Sequence, residues 1–294
     1  MASKKFILMA VLVVFIQTIG MAQTDWGWDW KDSSKVPTKS LPQYNEFLNN
    51  QFPYPPKPRN KWELGLNGGY SFITGSEVRS GAGYGGGVTI RKAINHNVSV
   101  RFGITASVSF GQGSKAVKGP GIGPWAAYTT TYIPNYRASI GMASLEFLYS
   151  FNSLSYYRGN PKWDIYMLIG YSMVGSETQV DARAASGAVY NYGSINYGVP
   201  TKEIISQAKA LQDGKYDNAG YNPDGKRGVL FELGDRYVRH GISAGLGASY
   251  KINPKINIGI EEKLTSLEKY TDGSGLSNNR NILSYLSAHI NFNL

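Results

Sequence analysis

The chain has no cysteine, so it forms no disulfide and offers no thiolate to a metal. Its three histidines, His96, His240 and His289, fall on separate strands or turns and suggest no metal site. Charged residues make up only 17% of the 294, and beyond residue 22 no apolar run approaches the roughly 20 residues of a membrane-spanning helix. If the protein enters a membrane, it does so as strands. What the chain has in quantity is glycine (35) and tyrosine (21), a composition of turns and interfaces. The formal charge is +10 without any basic run. That balance fits anionic lipid head groups or sugars and gives no reason to expect nucleic acid.

Residues 1–22 read as a secretory signal peptide. Lys4 and Lys5 form the positive end, Phe6 to Ile16 an apolar run too short to span, and Gly20-Met21-Ala22 a small-x-small cleavage site before Gln23. Residues 23–60 differ in kind, holding Pro37, Pro42, Pro53, Pro55, Pro56 and Pro58 together with Trp26, Trp28 and Trp30. Proline denies ladder hydrogen bonds, so this is a periplasmic arm and no sheet, with Gln51 to Arg59 in polyproline II.

From residue 61 the pattern alternates. Val98, Val100, Phe102, Ile104, Ala106, Val108 and Phe110 oppose Ser99, Arg101, Gly103, Thr105, Ser107 and Ser109. Period two with unlike sides is the signature of a strand between two environments. Seven more such stretches begin near Trp62, Tyr84, Tyr136, Trp163, Val238, Ile256 and Asn281. The last ends on apolar Leu294. Parity slips at Ala143-Ser144, which predicts a β-bulge. Glu262 shares parity with Ile260, which predicts a bulge or an exit from the apolar layer. The strands are expected to be close to the minimum that spans a membrane, about 9–11 residues.

Connections alternate between long and short, and closure is how such a meander removes its edges. The expected fold is therefore all-β: an eight-stranded antiparallel up-and-down transmembrane β-barrel over residues 61–294, with both termini periplasmic. The longest connection, 176–236, is roughly sixty residues, and long loops are usually functional or disordered. Within it Thr201 to Gln212 has helical spacing, with Gly214 suited to end the helix. That helix either displays itself or folds back as a lid.

Glu63, Arg91, Arg101, Glu146, Asp164, Arg239 and Glu261 all fall opposite the apolar residues of their strands. An eight-stranded barrel is just filled by its side chains, so these seven are expected to pair as a lumen network and to exclude a wide pore. Tyr190, Tyr192, Tyr197, Tyr216 and Tyr221 of the long loop are candidate partner-binding residues, since tyrosine supplies contact area at low entropic cost. No catalytic set, cofactor or metal site is expected. His240 near Ser243 or Asp235 could mimic a hydrolase dyad, but its parity points it at lipid. The expected partners are outer-membrane lipid and an outer-membrane or periplasmic protein. The expected role is a non-enzymatic scaffold that displays its loops; the alternatives are a lipid- or peptide-processing enzyme and a narrow small-solute channel.

The segments Asp32-Ser33-Ser34, Val36-Pro37, Pro42-Gln43, Glu46-Phe47, Pro55-Pro56-Lys57-Pro58-Arg59, Trp62-Glu63-Leu64-Gly65, Arg91-Lys92-Ala93 and Leu211-Gln212-Asp213-Gly214-Lys215-Tyr216 carry a resemblance. In them the chain resembles the OmpA-like outer-membrane proteins of Gram-negative bacteria, in a branch with a Pro-rich arm. The arm is the more specific part. The resemblance implies an outer-membrane barrel. It does not extend to the family's usual peptidoglycan-binding domain, since the chain stops at Leu294, and wall anchoring is not implied.

Overall fold

The computed structural model describes residues 33, 36, 38, 41–51, 62–75, 78–94, 97–118, 121–151, 162–220, 228–233, 236–253, 255–269, 271–273 and 280–294. The expected signal peptide, the three arm tryptophans, residues 52–59 of the expected polyproline II stretch, His96, Tyr221 and Asp235 lie outside the described residues.

Eight long strands follow one another: β1 (Trp62–Thr74), β2 (Ser80–Ala93), β3 (Val98–Gln112), β4 (Asn135–Ser150), β5 (Trp163–Val180), β6 (Arg236–Asn253), β7 (Ile256–Lys269) and β8 (Arg280–Asn293). Each pairs antiparallel with its sequence neighbours, and β8 returns to β1. The barrel is therefore closed and has no edge within its wall. Its paired residues run from Met167 through Leu246, Glu262, Leu286, Tyr70, Tyr84, Val108 and Ser139 back to β5 at Glu177, ten positions beyond the start (177 less 167). An even offset keeps inside and outside in phase round the wall.

The strands are 13 to 18 residues long, well above the expected minimum. The excess lies at the loop end, where β5 continues to Val180, into the stretch expected to be loop. Two short strands, Val117–Lys118 and Thr131–Tyr132, pair within the β3–β4 connection. Asn218–Ala219 pairs with the top of β5, and Val229–Leu233 pairs with the top of β6.

No bulge interrupts β4. Its register with β3 runs unbroken from Gln112↔Asn135 to Val98↔Tyr149. Even-numbered residues face inward throughout: Tyr136, Ala138, Ile140 and Met142 are buried, and so are Ser144, Glu146 and Leu148. What changes at Ala143-Ser144 is the lumen's lining. It is apolar toward the loop end and polar toward the turn end, so the apolar set changes parity while the strand does not. No bulge occurs at Glu262 either, where pairing is continuous on both sides with Leu246 and Leu286. Glu262 stands outward between exposed Ile260 and Leu264, and Ser284 donates its hydroxyl hydrogen to it.

Within the arm, Leu41–Leu48 forms a helix, α1, that buries Tyr44 and Phe47. Pro42 lies in its first turn, where a missing N–H costs nothing. The density of prolines concealed the helix in the sequence. A second helix, α2 (Thr201–Leu211), stands where the spacing predicts one, and Gly214 follows it with a positive φ of 74°.

Candidate functional site

Two layers fill the barrel. In the turn-end half the lumen is a charge network. Glu63 faces Arg91, Arg91 faces Arg101, and Arg101 faces Glu146 across successive strand pairs, a row of acid, base, base, acid over β1 to β4. The two adjacent arginines are held apart by different partners. Arg101 gives Nε to Glu146 at 2.6 Å and both Nη atoms to Glu261 at 2.7 Å. Arg91 lies 3.8 Å from both Glu63 and Asp164.

Three residues complete the network without having been singled out by their charge pattern. Lys263 donates to Glu146 at 3.1 Å, Ser144 donates to the same carboxylate at 2.8 Å, and Tyr166 donates to Glu261 at 2.8 Å. Tyr166 reaches the centre because β6 carries Gly247 beside it. A Cβ there would sit 2.3 Å from the tyrosine Cζ. Carboxylates buried with this many donors are satisfied, which is the condition for keeping charge in a low-dielectric interior. Arg239 does not join the centre. It pairs with Glu268 toward the loop end and lies over the Tyr237 ring. Parity identified Arg239 as inward-facing, but height along the barrel separates it from Arg101.

The loop-end half is a hydrophobic core. Ile73, Tyr136, Ile140, Val174, Leu267 and Leu283 of the wall pack with Trp125, Tyr128, Ile133, Tyr192, Ile204 and Ala208 from the connections. Trp125 stacks on Tyr132 with centroids 5.2 Å apart, and Tyr128 lies 5.4 Å from Tyr192. Helix α2 is folded back: Ile204 and Ala208 are its buried face. The described part of the long loop that carries Tyr192 and α2 is thus a packed cap.

Asp181 ties this cap to the barrel. Its backbone and Asn135 exchange two hydrogen bonds, of 2.7 and 2.8 Å. Its carboxylate accepts from the Tyr190 hydroxyl at 2.7 Å and the Gly214 amide at 2.9 Å. Burial nevertheless pushes the Asp181 carboxyl above its usual range, and it raises the Tyr128, Tyr190 and Tyr192 phenols as well.

The candidate partner-binding tyrosines are therefore used differently from expectation. Tyr192 is buried at 1% exposure and accepts a hydrogen bond from Gln212, so it offers no face to a partner. Tyr190 packs edge-on against it and spends its hydroxyl on Asp181. Tyr197 is the most exposed of the described four, yet its hydroxyl donates to the Tyr192 carbonyl. Tyr216 lies half-buried beside Phe110. The loop uses Tyr190 and Tyr192 for its own core because an excursion of this length must bury apolar surface to stay folded.

His240 points outward and bonds to the Tyr171 hydroxyl, whereas Ser243 points inward to Ser172 and Thr265. The two share no site. His289 lies inside, 3.1 Å from the Ser249 hydroxyl. No group of three or more metal-ligating side chains occurs among the described residues.

Neither a protein-family model nor a curated protein matches the sequence. Among solved structures the chain is similar to Neisserial surface protein A, at 12% identity over 79% of this chain and 96% of that one, with a TM-score of 0.41. It is also similar to the outer membrane protein OprG from Pseudomonas aeruginosa, at 11% identity over 79% and 95%, TM-score 0.36. A third is the outer membrane protease OmpT from Escherichia coli, at 10% identity over 81% and 97%, TM-score 0.33. The likeness is one of barrel fold.

Proposed function

We propose that the protein is an integral outer-membrane barrel that serves as a structural and binding scaffold and carries a folded cap to the cell surface. One observation carries the membrane reading: round the middle of the wall the outward side chains are apolar apart from Glu262 and its donor Ser284, and the charges of the lumen network point in. Phe102, Ile104, Phe147, Ile165, Ile169, Ile242, Leu246 and Ile260 are 46% to 66% exposed. Water would reverse that arrangement; hydrocarbon would cover it. Aromatic residues stand at both ends of this belt, with Trp62, Tyr149, Trp163 and Tyr250 at the turn end and Tyr70, Tyr84 and Tyr171 at the loop end. Such girdles suit the two membrane interfaces. The Leu294 amide donates to the Trp62 carbonyl at 2.7 Å, so the chain enters and leaves the barrel at the turn end, the periplasmic side in this reading.

The scaffold reading rests on what the cap exposes. Leu230, Phe231 and Leu233 stand out from Val229–Leu233, a strand that pairs with β6 on one edge and with no described strand on the other. An extended segment of a partner protein would add to that edge by backbone pairing, with Phe231 as a side-chain anchor. No observation favours a catalyst. A channel fits poorly with a lumen filled by a salt-bridge network below and an apolar core above.

The test has two arms. The protein should fractionate with the outer membrane and migrate faster on gels before boiling than after. Recovery in a salt-extractable soluble pool would sink the membrane reading. Phe231→Glu should keep the folded-barrel migration and lose the chain's co-purifying partners; a variant that retains every partner would remove the edge strand from the proposal.

A further inference from the structure

At the loop end, on the outside of the wall, the start of β2, the end of β3 and helix α2 enclose a recess of about 200 Å³. Arg79 and Lys209 line it from two different elements, and both are exposed. Neither has a carboxylate within ion-pair distance among the described residues. Phe110 and Tyr216 also line it, with ring centroids 6.3 Å apart. Arg137, exposed and directly across the ladder from Phe110, adds a third positive charge beside it. By contrast, Arg91, Arg101, Arg239 and Lys263 in the lumen are all paired.

Gln112 sets the recess apart from an ordinary basic patch. It lines the recess at 6% exposure, and neither its amide oxygen nor its amide nitrogen has a hydrogen-bond partner among the described residues. An amide kept buried without partners works against stability, so it calls for a use.

Unpaired cations, two rings and an orphaned amide together suit an anion carried on a body that stacks and hydrogen-bonds. We propose that this recess binds a phosphate-bearing sugar headgroup, supplied either by a glycolipid or by a soluble sugar phosphate. The phosphate meets Arg79 and Lys209, whose charge-assisted donors suit it. The apolar face of the sugar lies against Phe110 and Tyr216, and a hydroxyl meets the Gln112 amide. The recess is smaller than the roughly 300–1,000 Å³ of a pocket for a drug-sized ligand, so it takes the headgroup alone. Below it Tyr84 lies 6.3 Å from Phe110, at the top of the apolar belt, where the acyl chains of a glycolipid would begin. That last placement rests on the membrane reading; the headgroup chemistry does not.

The experiment is a titration of the full chain folded in detergent, read by native mass spectrometry. The probes are diphosphorylated lipid A, the same lipid without its phosphates, and glucosamine 1-phosphate. The phosphorylated lipid should bind at least about tenfold more tightly than the dephosphorylated one, the scale of one charge-assisted contact. Arg79→Gln combined with Lys209→Gln should lose about as much, and high salt should weaken binding, while Lys202→Gln at the far end of α2 should change nothing. Glucosamine 1-phosphate binding as tightly as the phosphorylated lipid would assign the site to soluble sugar phosphates, and a lipid that binds at least about tenfold more tightly would assign it to the glycolipid. Gln112→Leu should raise the melting temperature of the unliganded barrel and weaken binding. Equal affinity for the two lipids, or full binding by the double variant, would overturn the proposal. So would a Gln112→Leu chain unchanged in both respects. Gel migration before boiling, measured on the same samples, separates this failure from failure of the barrel reading.

Discussion

Arg101 and Glu261, 160 positions apart in the chain, meet across the lumen through two parallel hydrogen bonds of 2.7 Å. The remaining Nε of the same guanidinium goes to Glu146, so one planar side chain on β3 joins β4 to β7 through the barrel's centre. Removing it leaves two carboxylates buried with Lys263, Ser144 and Tyr166 as their side-chain donors among the described residues. Arg101→Ala should therefore lower barrel stability by about 3–5 kcal/mol, whereas Lys115→Ala, exposed in the β3–β4 connection, should cost close to nothing. Arg101→Lys should recover only part, because an ammonium cannot present the fork. Urea unfolding midpoints in detergent compare the three. Equal midpoints for Arg101→Ala and Lys115→Ala would show that the network contributes nothing to stability.

Glu262 stands in the outward belt with Ser284 as its hydrogen-bond donor. A carboxylate facing hydrocarbon costs less than the roughly 2–4 kcal/mol of a midplane Arg or Lys, but it still costs. Glu262→Leu should stabilise the barrel in lipid bilayers, by up to about 2 kcal/mol. The neighbouring change Ile260→Glu should do the opposite. A Glu262→Leu chain that unfolds more readily in bilayers would mean that this carboxylate is there to be bound.

Asp181 supplies a pH dependence with a definite sign. Burial raises its folded-state pKa above the ordinary 3.8, so the folded cap holds this proton more tightly than the unfolded chain does. Its contribution is fully favourable below 3.8 and is lost as pH rises through the raised value. Asp181→Asn cannot titrate. The stability of the wild type relative to Asp181→Asn should therefore fall as pH rises above 3.8, most simply followed by hydrogen exchange of the α2 amides. A difference independent of pH would show that Asp181 keeps the same affinity for its proton in both states.

Much of the lumen site was legible because charge and parity are local properties. Glu63, Arg91, Arg101, Glu146, Asp164 and Glu261 stand on the polar side of period-two strands, and that side is the lumen. Lys263 obeyed the same parity but was obscured by its neighbour Glu262, which does not. Tyr166 was visible only as an inward residue; its role depends on Gly247 and Glu261, from other strands. Tyr190 and Tyr192 turn inward for a related reason. Composition identifies rings that bury area, but not whether the area they bury belongs to a partner or to their own loop.

The sequence by itself determined the strand count, the antiparallel order, the two unlike faces and the helix at Thr201, since each follows from periodicity and turn chemistry within a few residues. Tertiary structure alone decided the rest. Residues on different strands, 160 positions apart for Arg101 and Glu261, must be brought to one height before Arg101 selects Glu261 and Arg239 selects Glu268. The lumen changes from polar to apolar at Ala143-Ser144 because the cap returns to fill it, which no local pattern encodes. An in-register strand with a changing interior and a bulged strand with a constant one leave the same sequence. Only the closed barrel, whose register is fixed on both sides of every strand, distinguishes them.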